Sequence, residues 1–282
     1  MSYAKLTYGE QGKLPGRWPD VAQKNKDAER RTEMQVDLKY ETARRRMIIG
    51  IIGCLLYVAG DFLFAATGKG QRTDTIGLFT RVAYLEMSTW RMIVSILCGF
   101  VGTLMYYMGF HQMYRVLRIH LTMPGDQIWV RLFRAAYIMG SVSWAWVHAM
   151  FMTDALIFKY VVEAYGETEK AAEIANRVFL ANGPGMLTAY IVCDLGLTVI
   201  MMALVLKRKI PLKNTGTRLL ALLCNPLMLP GIVGNLLTLL PWPLNQLDHG
   251  TESFGHALVL ILGLTLLRQY RHRNDALELL PD

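Results

Sequence analysis

The stretch MIIGIIGCLLYVAGDFLFAAT, residues 47–67, follows Arg44, Arg45 and Arg46 and holds one charged residue, Asp61. As a helix rising about 1.5 Å per residue it reaches about 30 Å, the hydrocarbon thickness of a bilayer. The same reading applies to five further apolar stretches, at about 90–114, 132–158, 178–206, 218–241 and 253–270. The expected fold is therefore all-α: a polytopic transmembrane helix bundle of about six spans. Composition agrees. Of 282 residues, 53% are hydrophobic and 18% charged, too apolar a chain to hide its surface from water as a soluble domain.

Basic residues alternate by connection. Lys39 and Arg44–Arg46 precede the first span; Arg115, Arg118, Arg131 and Arg134 flank the second connection; Lys207, Arg208, Lys209, Lys213 and Arg218 fill the fourth; Arg268, Arg271 and Arg273 follow the last span. No Lys or Arg lies between Pro241 and His256. The positive-inside rule then puts both termini in the cytoplasm, with the first span as an uncleaved insertion signal. The formal charge of +8 sits in these flanks, without the basic and aromatic interleaving of a nucleic-acid surface, so nucleic acid is not an expected partner. The expected partners are the lipid bilayer and an amphiphilic small molecule.

Three segments follow: residues 1–45 as a charged cytoplasmic arm whose helix runs toward the first span, 46–270 as the six-helix transmembrane domain, and 271–282 as a cytoplasmic tail. The third connection, EAYGETEKAAEIANR, contains a short helical pattern. Asn225, Pro226, Pro230 and Gly231 interrupt the fifth span, and NGPG at 182–185 interrupts the fourth. Cys54, Cys98, Cys193 and Cys224 all fall in spans without a C-x-x-C pair and read as small packing residues.

With this orientation each polar residue in a span acquires a depth. Asp61 lies about 22 Å up the first helix from Arg46. Glu86, Trp90 and Arg91 open the second span from the same side, His148 stands in the outer third of the third span, and Asn235 ends the fifth. The last span begins there with LDHGTESFGH, residues 247–256, which carries Asp248, His249, Glu252 and His256. Ionisable side chains in a bilayer cost a few kcal/mol each and usually face a partner or a wet cavity, so one outer-leaflet cavity explains the layer.

Glu252 and His256 are four apart and share a helix face, a carboxylate beside an imidazole suited to proton transfer. His148, His249 and His256 make a candidate zinc or iron set, although the spacing matches no strong metal motif; the alternative is a polar cap at the lipid boundary. Asp61 and Arg91 read either as a structural ion pair or as site residues. Trp144, four before His148, reads as a wall for substrate or as part of an interfacial belt with Trp90, Trp146 and Trp242. Catalytic candidates are thus His148, Glu252, His256, Asp61 and Arg91, and substrate-binding candidates are Trp144, Glu86, Trp90, Asn235 and Asp248. Asp194, near the middle of the fourth span, is the coupling carboxylate if the protein is a transporter.

Gly60 with Asp61, Arg91, MGFHQMY at 108–114 and VHAMFMTDAL at 147–156 resemble a group of bacterial integral membrane proteins classed under a domain of unknown function. The resemblance spans about 46–270 and implies a six-helix membrane protein without implying an activity. The two histidines of the last span depart from that group, where the position tends to be Asn-rich. The chain has no H-E-x-x-H, clustered H-x-x-H-H, paired D-x-x-x-D or G-x-S-x-G. Three functions remain: an intramembrane enzyme doing acid/base chemistry, with or without a metal, on a lipid or isoprenoid; a small transporter or binding protein using the same cavity; and an assembly protein whose polar residues hold helices together.

Overall fold

Unbroken apolar sequence gives unbroken helices, because lipid offers no partner for a free backbone N–H or C=O. The computed structural model describes residues 21–68, 75–76, 80–210, 212 and 215–271, with side chains from Glu29 onward. The start of the expected arm, the tail beyond Arg271, Lys213 and Arg273 lie outside the described residues.

Helix α1, Val21–Ala65, fuses the charged arm and the first span into one rod. At about 68 Å it is more than twice the bilayer core and must project beyond it. A two-residue hairpin, β1 at Thr75–Ile76 with β2 at Thr80–Arg81, and a single helical turn, α2 at Ala83–Glu86, lead into α3, Thr89–His120. Helix α4 runs Gln127–Tyr165 and ends on Gly166 in the left-handed conformation. Helix α5, Thr168–Thr188, continues through a π-helical stretch at Ala189–Leu195 into α6, Gly196–Leu206. Helix α7, Thr215–Leu223, is followed by a second π-helical stretch at Leu229–Gly234 and the short α8, Asn235–Thr238. Helix α9 closes the bundle at Thr251–Leu267.

Among the described residues, five helices are long and apolar enough to cross a membrane: Glu29–Ala65, Thr89–His120, Pro124–Tyr165, Thr168–Leu206 and Thr251–Tyr270. The fifth expected span, 218–241, is not one helix. Its chain breaks after Leu223, and the buried Asn225 fills the break: its Oδ1 accepts the N–H groups of Leu227 and Met228 at 3.2 and 2.9 Å and the Thr198 hydroxyl at 3.0 Å. The helical pattern of the third connection is not a separate helix either, since α5 starts at Thr168 and runs on into the fourth span. Pro184 of NGPG lies inside α5 without ending it; the irregular winding comes five residues later.

The basic connections meet at one end of the bundle. There His120 bonds the Tyr270 hydroxyl at 2.7 Å and the Lys209 carbonyl at 2.6 Å, and Lys209 pairs with Asp126 at 2.8 Å. Arg271 stacks over Tyr40 of α1 and Lys207 over Trp129. At the other end, Tyr84, Met87, Met152, Phe158 and the alanines 171, 172 and 175 form a second apolar core, and Lys159 holds the α2 turn by donating to the Leu85 and Met87 carbonyls at 3.1 and 2.7 Å.

Helices α1 and α3 touch backbone to backbone. A Cβ on Gly109 would stand 2.5 Å from the Gly50 Cα, so only hydrogen fits there. Gly109→Ala should therefore cost about 1–3 kcal/mol by overpacking, read as a lowered melting temperature of the detergent-solubilised protein. An unchanged melting temperature would show that the two helices are farther apart.

Candidate functional site

Asp61 lies one turn before the end of α1, His148 midway along α4, and Asp248 and His249 on the turn into α9, whose first helical turn carries Glu252. All five line one cavity of about 240 Å³, together with Trp144, Tyr190, Phe64, Phe151 and Ser253. The cavity lies at the end of the bundle away from the basic connections. It draws its polar groups from α1, α4, α9 and the turn before α9, and its aromatic wall from α1, α4 and the π-helical stretch that carries Tyr190.

Asp61 and His148 are held in place by their neighbours. Asp61 Oδ2 accepts the Ser253 hydroxyl at 2.7 Å, and Oδ1 stands 3.9 Å from His148 Nε2. The His148 ring stacks on Tyr57, centroids 4.9 Å apart, while the Tyr57 hydroxyl bonds Thr103 at 2.7 Å. Gly99 of α3 makes room for that imidazole, since a Cβ there would come within 2.5 Å of the His148 Cβ. Asp248 Oδ1 and His249 Nδ1 are 3.6 Å apart.

Glu252 links the cavity to a second layer beneath it. Its carboxyl lies within hydrogen-bonding reach of the Asp194 carboxyl. Asp194, fully buried, is 2.9 Å from Nε2 of His256, which is 1% exposed. The same layer contains Cys193, whose sulfur accepts the Trp144 indole N–H at 3.3 Å and lies 3.4 Å from the Tyr106 hydroxyl. Trp144 and Tyr106 also turn ring edges or faces toward the His256 imidazole, at centroid distances of 5.7 and 5.5 Å.

The structure separates the sequence candidates into groups. Asp61, His148, Trp144, Asp248, His249 and Glu252 share the cavity, and His256 lies beneath it with Asp194. Arg91 is not paired with Asp61: its guanidinium donates to the Ala66 carbonyl at 2.8 Å. That carbonyl follows the last turn of α1, where helix carbonyls lack an intrahelical donor, and it captures the cation first. Trp90 is 60% exposed, Glu86 is exposed at the end of α2, and Asn235 is exposed with its amide on the Gly231 carbonyl at 2.8 Å; none of the three lines the cavity. Trp144 is buried inside the bundle and is no part of an interfacial belt, whereas Trp90, Trp146 and Trp242 are exposed.

Asp194 is drawn into the cluster instead of standing apart at mid-membrane. Sequence reasoning passed over Tyr57, Tyr106, Cys193, Tyr190 and Ser253. Only Ser253, inside the TESFGH stretch, carries a signal, because it sits beside Glu252 in the first turn of α9. Among the described residues, the His, Cys, Asp or Glu donors near enough to share a metal are Cys193, Asp194 and His256, with ligand atoms within 4.8 Å of one another. His148 and His249 are outside that group.

A bundle of five membrane-length helices around a buried carboxyl and imidazole cluster places the chain among integral membrane proteins. It belongs to the family of unknown function DUF6796, whose model matches residues 30–270. No curated protein and no solved structure matches it.

Proposed function

We propose that this protein is an intramembrane enzyme that performs acid/base chemistry on an amphiphile, a lipid or an isoprenoid, from the outer leaflet of a bacterial plasma membrane. The observation that carries the reading is the convergence of Asp61, His148 and Glu252, from three helices, on one cavity with an aromatic wall. Both termini are then cytoplasmic, because the basic connections gather at the end away from the cavity. A cavity of about 240 Å³ is smaller than the roughly 300–1,000 Å³ that enclose a drug-sized ligand. It suits a head group, with the apolar tail left in the bilayer.

In this reading His148, steadied by Tyr57 and Asp61, and Glu252, backed by Asp194, are the acid and base on facing walls. Trp144, Phe151 and Tyr190 exclude water from the reacting group. A transporter using the same cavity is the second reading, favoured by Asp194 directly beneath the cavity floor on an irregularly wound helix.

Incubating purified protein with bacterial polar-lipid and isoprenoid extracts, and following products by mass spectrometry, tests the choice. The enzyme reading expects a converted species whose formation falls by about a hundredfold or more in His148→Gln. Uptake of a labelled amphiphile into proteoliposomes, with no conversion and with uptake stopped by Asp194→Asn, would sink the enzyme and establish the transporter.

A further inference from the structure

Asp194 Oδ2 and Glu252 Oε1 are buried and have no N–H or O–H donor among the described residues, yet the two carboxyls face each other. No lysine or arginine among the described residues pairs with either. Two facing acceptors in a dry interior are repulsive unless something positive, a proton or a cation, lies between them. Two softer donors stand at the same point. His256 Nε2 is 2.9 Å from Asp194 Oδ1, its Nδ1 has no partner among the described residues, and the Cys193 sulfur completes the group within 4.8 Å.

The sulfur is provided for on two sides. Trp144 donates an N–H to it, and Gly140 of α4 leaves the space it occupies, where a Cβ would overlap it. An N–H aimed at sulfur is the kind of supporting bond that ligating groups receive in metal sites.

We propose that Cys193, Asp194 and His256 form a binding site for a divalent d-block cation, zinc being the best match, with the Glu252 carboxyl beside Asp194 at its edge. One thiolate, one imidazole and carboxylate oxygens are the ligand types zinc takes in four-coordinate sites. Ligand atoms around such an ion stand about 3–4 Å apart, so modest side-chain rotation brings this group onto it. The ion would sit under the cavity floor, with Glu252 lining the cavity above it and facing Asp194. The site does not depend on any turnover in the cavity.

Metal content of the full chain, purified in detergent without chelator and measured by plasma mass spectrometry, is the test. The expected result is about one zinc per chain. Cys193→Ser and His256→Ala should each lower it roughly tenfold or more, while His148→Ala and His249→Ala leave it unchanged. Chelator-stripped wild type should take up one equivalent of cobalt(II) and develop a thiolate-to-cobalt charge-transfer band, a readout that needs no variant to fold. The site is overturned if the wild type carries no metal and, once stripped, binds neither zinc nor cobalt, or if bound zinc survives in folded Cys193→Ser and His256→Ala. Because no substrate enters this experiment, a failed lipid screen leaves it standing and an empty site leaves the acid/base reading standing.

Discussion

Glu252→Gln is expected to stop turnover and raise stability in the same molecule. As the proposed cavity acid or base, Glu252 should account for roughly 10²–10⁴ of the rate, and an amide cannot exchange its proton. The same amide brings an N–H donor to Asp194 Oδ2, which has none among the described residues. A buried hydrogen bond to a charged acceptor contributes about 1.5–3 kcal/mol. The metal-free variant should therefore melt above the metal-free wild type while converting none of the species found in the lipid screen. Stability bought with lost chemistry marks a residue held for function against the interest of the fold. A variant that melts lower would mean that the two carboxyls already share a proton well enough to gain nothing from the amide.

The second large effect lies in the Asp194 and His256 pair. Both are essentially out of contact with solvent and 2.9 Å apart. Removing one partner of such a pair strands the other in an apolar interior, at a cost of about 3–5 kcal/mol. Asp194→Leu and His256→Phe should each destabilise the metal-free protein by about that much, and the double variant by much less than the sum of the two. A double-variant cycle followed by thermal or denaturant unfolding in one detergent gives the coupling directly. Additive losses would mean that the two side chains are not interacting in solution.

Length and depth were legible in the sequence because both are one-dimensional. Apolar runs at about 1.5 Å per residue gave the helices, and residue counts from the basic flanks put Asp61, His148 and Glu252 at one level. Azimuth was not legible. Arg91 and Asp61 have matching depths, but a free carbonyl at the end of α1 lies nearer the guanidinium than the carboxylate does. The sequence places Asp194 near the middle of the fourth span, whether neutral, hydrogen-bonded or on a pathway, because depth counts along a regular helix, whereas a π-helical stretch brings it to His256. Cys193 looked like packing because nothing in one sequence shows that Trp144 and Gly140 face its sulfur. The break in the fifth span was visible as Asn225 and Pro226; the seal over it was not, since it depends on Thr198 from another helix.

The wide winding at Ala189–Leu195 also sets how the rest of that helix counts its faces. Downstream of it, Leu197, Ile200, Met201 and Leu204 point inward, while Val199 and Leu206 point outward. Each residue of a helix turns the chain by about 100°, so the loop-like slack accommodated in those seven positions acts as a phase adjuster between two halves of one rod. Deleting a single residue there would leave composition and hydropathy almost untouched. With the stretch then closing to ordinary α-helical winding, the inward row of α6 keeps facing the bundle, so the wide turn is the place in this crossing where a one-residue change of length is absorbed.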